Sequence, residues 1–314
     1  MNSVRCIYIY MRARRNEIEE HTETQSKQKP NLESRRRISH NYMCFNMSPN
    51  PLLAYRVYAS SYASIENLES VKLRNGIHVA LAFARDYDED GNPTKGDFKC
   101  YFKKDELTPT KVKTFKQNSA SKVKFFLSIG GRDEKYPFSV TSSEKETWIS
   151  SATQSLKRII HHYNLDGLDI YYQYIDPVGE AQFKDAIGEV IENLKNDLPD
   201  DFLVSITVSA RLCCNFYSPL YNDHHRVIDH VVYQTHTWPN VIKSSQFLTN
   251  VLDTLPYPKE KLFAGHSSSH QHSDWIKVPV PIFLGAVPHL LDNNAAASGI
   301  SKWIVTSDDN PEKP

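Results

Sequence analysis

The residues best placed to do chemistry lie in one short run, Leu165-Asp166-Gly167-Leu168-Asp169-Ile170-Tyr171-Tyr172-Gln173-Tyr174. Read as a strand, its two-residue period puts Asp169, Tyr171 and Gln173 on one face and Ile170 and Tyr172 on the other. Carboxylates lined up on one face are the raw material of general acid and base catalysis, yet of these three only Asp169 carries one. Gln173 can hydrogen-bond a leaving oxygen through its NH2 but has no dissociable proton to give. Tyr171, a phenol of ordinary pKa about 10, stays neutral at pH 7. Asp169 is therefore expected to be a buried structural carboxylate bonded to Tyr171 or Ser128 rather than a catalyst.

Other reactive types are scattered. Gly130-Gly131 follows a strand-like run but lacks the Lys-Ser/Thr or G-x-G-x-x-G context, so nucleotide binding has no support. His266, His270 and His272 fall within seven residues and could hold zinc with an open position; without a regular period or a nearby Cys they are expected in a solvated loop, with no metal. His161-His162 and His224-His225 sit where helices should end and complement their dipoles. Cys213-Cys214 has no paired base nearby and is not expected to be a nucleophile. No cofactor is expected.

The elements that must position these residues alternate in kind. Strand candidates are 52–58, 77–84, 123–129, 165–171, 203–209, 228–234, 262–266 and 299–305, and helical periods fall near 63–73, 109–118, 143–162, 178–197, 217–225, 241–254 and 281–291. Pro109, and Ser143 followed by Glu146, read as helix starts. Eight near-continuously apolar strands joined by helices predict a (β/α)8 TIM barrel over 51–314, with a doubly wound open sheet as the runner-up. The short stretch after the last strand, with Pro311 and Pro314, predicts that the eighth helix is lacking. Residues 1–50, with Arg35-Arg36-Arg37 and no sustained period, are expected to be a disordered basic extension.

The fourth strand resembles the catalytic strand of the family-18 glycoside hydrolases, the chitinases, whose pattern is Asp-Gly-x-Asp-x-Asp-x-Glu. Asp166, Gly167 and Asp169 match it, while Tyr171 replaces the third Asp and Gln173 the acid Glu. Ser128-Ile129-Gly130-Gly131 resembles the family's Ser-x-Gly-Gly signature. The resemblance further implies that Tyr233 contacts a substrate acetamide, that Gln234 replaces an Asp, and that Trp303 floors the sugar site, with Ser128 beside them. Over 52 to about 309, the chain resembles the narbonin, RuBisCO-associated and nodulin-like legume branch, regarded as lacking hydrolase activity.

The family's substrate-assisted mechanism needs a proton-donating Glu and an Asp to orient the acetamide. With neither in place, the resemblance implies a catalytically inactive plant barrel that binds a chito-oligosaccharide or another neutral sugar, or a protein complex partner. Its alternatives are a storage or RuBisCO-associated protein without ligand, and a weak hydrolase of N-acetylglucosamine oligosaccharides using Asp169, Glu134 or Asp308.

Composition narrows the partners. The chain has 314 residues, 37 Lys+Arg against 37 Asp+Glu and a pI near 7.2, so no net field favours a nucleic acid or membrane surface. No apolar run is long enough to span a membrane. The short apolar stretch Cys6 to Met11 is wrongly flanked for a secretory leader, and five scattered cysteines argue against a disulfide framework. A cytoplasmic protein is expected.

Overall fold

The computed structural model describes residues 54–73, 75–237, 242–267, 278–292 and 299–303, with the side chains of 280, 288–292 and 303 excepted. The extension at 1–50, His270, His272, Asp308 and the place of an eighth helix lie outside the described residues.

Eight parallel strands close into a barrel: β1 Ala54–Ala59, β2 Ile77–Arg85, β3 Val123–Gly131, β4 Gly167–Tyr172, β5 Leu203–Ser209, β6 His230–Gln234, β7 Leu262–Ser267 and β8 Gly299–Trp303. Closure is made by β1, which pairs with β2 on one side and β8 on the other. Around it lie α1 Pro109–Asn118, α2 Lys145–Tyr163, α3 Phe183–Asp197, α4 Ser218–His224, α5 Ser245–Asp253 and α6 Val280–Asp292. This is the expected TIM barrel, with strands buried on both faces as helix-covered parallel strands must be.

Where local signals and tertiary contacts agree, the elements match expectation. Pro109 sits in the first turn of α1 and the Thr108 side chain accepts from Lys111 N. The helix expected at 63–73 is instead two short 3-10 turns, Tyr62–Ser64 and Glu66–Leu68. Ile65 is the one apolar residue buried there, and the backbone beyond is taken by the next unit: Leu73 N donates to Ser121 Oγ and Ala120 N to Glu69 O. The α2 start does not form the Ser143–Glu146 capping box; Thr141 Oγ1 donates to Glu144 instead. Residues 176–180 form an Asx turn before α3, with Val178 N donating to the Asp176 carboxylate.

Two carboxylates fasten the strand starts in the same way. Just before β4, Asp166 Oδ2 accepts Phe125 N of β3 at 2.7 Å and meets Lys116 from the end of α1 at 2.7 Å. Just before β6, Asp229 Oδ2 accepts Val204 N of β5 at 2.7 Å and meets Lys195 near the end of α3 at 2.7 Å. Each clamp joins a strand, its neighbour and a helix end at the barrel's N-terminal rim.

Inside, large rings alternate with glycines. His78 of β2 and His230 of β6 meet with centroids 5.4 Å apart, and Phe126 and Phe263 pack against them at 5.1 and 5.2 Å. A Cβ on Gly167 would fall 2.5 Å from the Phe126 ring and one on Gly299 2.4 Å from the Phe263 ring, so those rings occupy the space the glycines leave. Gly167→Ala and Gly299→Ala should each lower the denaturant midpoint at unchanged slope, by about 1–3 kcal/mol in stability.

Burial, then the nearby Arg56 charge, pushes His78 well below its ordinary range and His230 down to about 4. The unfolded chain, with imidazoles near ~6.5, binds more protons below that pH, so stability is lost as pH falls from about 6.5 toward about 4. Thermal midpoints measured across that window should decline steadily, and His230→Phe, which keeps a ring in the layer, should flatten the decline.

Candidate functional site

The strand register sets the middle of the lumen. Ser128 of β3, Asp169 of β4 and Ser205 of β5 lie side by side. The Asp169 carboxylate is wholly buried: Oδ2 accepts Ser128 Oγ at 2.8 Å, and Oδ1 accepts Ser205 Oγ at 2.6 Å and Thr207 Oγ1 at 2.9 Å. Its counter-charge is Arg56 of β1, also wholly buried, whose Nη2 stands 3.3 Å from Oδ1 and donates to Ser205 Oγ at 2.8 Å. The Arg56 guanidinium lies 4.4 Å from the centroid of the Phe126 ring. Tyr58 and Thr207 share a 2.6 Å hydroxyl bond beside this group. Burial, reinforced by the Asp169 charge, holds the Tyr58 phenol well above its ordinary range.

One step along β4, Tyr171 is wholly buried. Its ring stacks on Phe83 of β2 at 5.1 Å and meets Tyr58, tilted, at 5.5 Å. Past the strand end, Gln173 Nε2 donates to Gln234 Oε1 at 2.9 Å, joining β4 to β6. This leaves the Gln173 oxygen as an acceptor and the Gln234 NH2 as a donor outside the bond. Arg211 anchors the corner by donating to Gln173 O at 2.6 Å. Beside it, Gly130 and Gly131 hold φ values of 90° and 133°, and a Cβ on Gly130 would fall 2.8 Å from the Tyr172 ring. The backbone of Tyr172 is held by Tyr217, whose hydroxyl accepts from its N–H at 2.8 Å and donates to its carbonyl at 2.9 Å.

Of the residues expected at a site, the structure brings together Ser128, Asp169, Tyr171, Gln173 and Gln234. Asp166 stands apart, at the opposite end of the barrel in the clamp described above. Tyr233 is buried, but strand alternation turns it to the face opposite Gln234, away from the lumen, which corrects its expected place against a ligand. Trp303 ends β8 in register with Tyr58 and Ser267, and its side chain lies outside the described residues. Glu134 is exposed in the loop after β3. His266 is tied by Nε2 to Val278 O at 2.9 Å, and among the described residues no group of three ligating side chains forms a metal site. Cys213 is buried against the Ser218 and Tyr257 hydroxyls.

Arg56, Tyr58, Phe83, Ser205 and Thr207 were not anticipated. The signal was present: a lone arginine on an apolar strand (Ala54-Tyr55-Arg56-Val57-Tyr58) and hydroxyls at alternate positions of Ser205-Ile206-Thr207-Val208-Ser209. A further buried acid, Asp86, follows β2 but accepts from the Trp148 indole of α2 at 2.7 Å, and burial raises its pKa.

A closed parallel barrel with a polar lumen on β4 and small residues at the end of β3 is the architecture of a known glycosidase class. Residues 54–280 match the sequence profile of the glycosyl hydrolases family 18, and the chain belongs to that family. It is 34% identical over 237 residues to a RuBisCO-associated protein of Glycine max, spanning 72% of this chain and 82% of that one. It is 31% identical over 204 residues to Chitinase 1 of Tulipa saxatilis subsp. bakeri, spanning 62% of this chain and 63% of that one. The catalytic domain of a fern chitinase from Peteris ryukyuensis superposes with a TM-score of 0.66 at 26% identity, over 79% of this chain and 90% of that one. The chitinase of Crocus vernus shares the fold, with a TM-score of 0.67 at 22% identity over 80% of this chain and 92% of that one.

Removing one partner of the buried ion pair leaves an uncompensated charge. Arg56→Met should lower stability by about 3–5 kcal/mol in denaturant titration. The double variant Arg56→Met with Asp169→Asn should recover part of that loss.

Proposed function

We propose that this chain is a chitinase-like barrel that does not cleave glycosidic bonds and works by binding, in the cytoplasm, with a chito-oligosaccharide or another neutral sugar as its ligand. The observation that carries the reading is the Gln173–Gln234 amide pair at the strand ends, directly above a buried tyrosine. By its resemblance to the family pattern, Gln173 takes the position of the proton-donating Glu and Tyr171 that of the Asp that orients the acetamide. An amide hydrogen-bonds a glycosidic oxygen but gives it no proton during cleavage, and general acid catalysis contributes about 10² to 10⁴ in rate. The remaining carboxylate, Asp169, is surrounded by three hydroxyls and an arginine, so it is not disposed to replace the missing acid. Neutral donor and acceptor groups at the mouth suit sugar hydroxyls, which need pairing and no charge.

A second reading, a protein partner in a larger complex, is favoured by the similarity to the RuBisCO-associated protein and by Tyr171 occupying the lumen.

The test is calorimetric titration of the full chain with chitotetraose, beside a fluorogenic chitobioside assay. Saturable binding weakened at least tenfold by Gln234→Ala, with no turnover from pH 4 to 8, is the expected result. Turnover lost in Gln173→Ala would overturn the non-hydrolytic reading. No heat at millimolar sugar would exclude the sugar and leave the complex. Because Tyr171 still stands where the acetamide-orienting Asp would be, Gln173→Glu alone should stay inactive.

A further inference from the structure

We propose that an extended peptide segment of a partner protein, carrying both a basic and an acidic side chain, adds itself as a strand to the sheet edge at Lys99–Cys100. The amide pair takes no part in this site, so the inference stands independently of any sugar at the mouth. After β2 the chain turns back, and the two-residue strand Lys99–Cys100 pairs antiparallel with Ala84 and Arg85. It is the terminal strand of the sheet, with β2 on one side and no strand on the other among the described residues. Tyr101 N donates to Phe83 O at 2.8 Å, so the backbone groups of Lys99 and Tyr101 turn toward β2. By the alternation of an antiparallel ladder, those of Cys100 turn away from it. The Cys100 N–H and C=O meet no protein group among the described residues. Cys100 lines an open groove of about 450 Å³, a size ordinary for a bound ligand.

The groove is preformed and carries charges of both signs. One part of its lining is the turn after β2, closed by Asp88 N donating to Asn92 O at 2.9 Å and Gly91 N to Asp88 O at 3.1 Å. The Tyr101 hydroxyl ties that turn to the strand by donating to Tyr87 O at 2.6 Å. The turn presents Asp88, Glu89 and Asp90, and hydrogen bonds from Asn92 hold the Asp88 carboxyl below its ordinary range. The strand and its continuation present Lys99 and Lys104. None of these five side chains is in an ion pair among the described residues. Burial pushes the Cys100 thiol up to about 12, so it stays neutral and adds no charge. Unpaired carboxylates and ammoniums facing one groove fit a guest that bears both charges, whereas a segment of one sign meets like charge. Lysines on an edge also oppose a purely apolar strand, which keeps the pairing selective. Backbone hydrogen bonds then supply the affinity and the charged lining the choice of partner.

The test is a fluorescence-anisotropy titration of the full chain into the labelled peptide Lys-Val-Lys-Val-Thr-Val-Glu-Val-Glu, and into the same peptide in reversed order, since a strand can add in either direction. Saturable binding of one of them is expected. N-methylation of its central residues, which removes backbone donors at unchanged charge, should weaken it at least tenfold. The double variant Glu89→Lys with Asp90→Lys, both at exposed positions, should weaken it as much while keeping the thermal midpoint of the wild type. Binding that survives N-methylation would reduce the contact to charge attraction and overturn strand addition. Binding unchanged in the double variant would put the peptide elsewhere and overturn the site. No saturation by either peptide at millimolar concentration would overturn both.

Discussion

A charge at the centre of a barrel must be met by another charge, and the Arg56–Asp169 pair is the constraint on which the lumen is built. Taking both ions out of water is costly, and their attraction offsets that cost only where further hydrogen bonds satisfy the carboxylate. Ser128, Ser205 and Thr207 supply those bonds from the two strands flanking β4. The hydroxyls lie at alternate positions because the pleat offers only those positions to the lumen. The Tyr58–Thr207 bond and the Tyr171 ring stack continue the same arrangement upward.

This pair also separates the two ends of the molecule. Above it the lumen rises to neutral amides; below it lie imidazoles, a lysine and phenylalanines packed against glycines. A carboxylate in a family-18 glycosidase is useful when it can share protons with neighbours or orient a substrate amide. Here the one lumen carboxylate of β4 faces an arginine and three hydroxyls. At the end of β4 and β6 the side chains of Gln173 and Gln234 meet through uncharged amides.

Much of the architecture was legible because its causes are local. The eight strands are nearly continuous apolar runs, and Pro109 with Thr108 marks a helix start within a few residues. What was not legible depended on neighbours distant in sequence. The segment 63–73 has enough apolar residues for one helical turn, and its later backbone is claimed by Ala120 and Ser121, some fifty residues on. Arg56 is a lone charge on an apolar strand, and its partner Asp169 lies more than a hundred residues away in sequence. The expectation for Tyr233 came from matching a dipeptide to a family pattern, whereas the pleat admits only one of two adjacent residues to the lumen. Gln234 is that residue, as its bond to Gln173 requires.

The motif on β4 divides into positions that hold the barrel and positions that face its mouth. Asp166 fastens β3 and α1 to the start of β4, and the same clamp recurs at Asp229, where no family signature was recognised. Gly167 makes room for the Phe126 ring, and Asp169 organises the buried polar centre. Those three are the positions at which the chain agrees with the family pattern. Tyr171 and Gln173, the two that differ, lie where the fold asks only for a side chain that packs or hydrogen-bonds: one stacks on Phe83 and the other pairs with Gln234. Agreement with Asp-Gly-x-Asp is thus evidence of a shared scaffold, since each matching residue has a structural partner that accounts for it. The chemistry has to be judged from the two positions the scaffold leaves free, and both of those are uncharged.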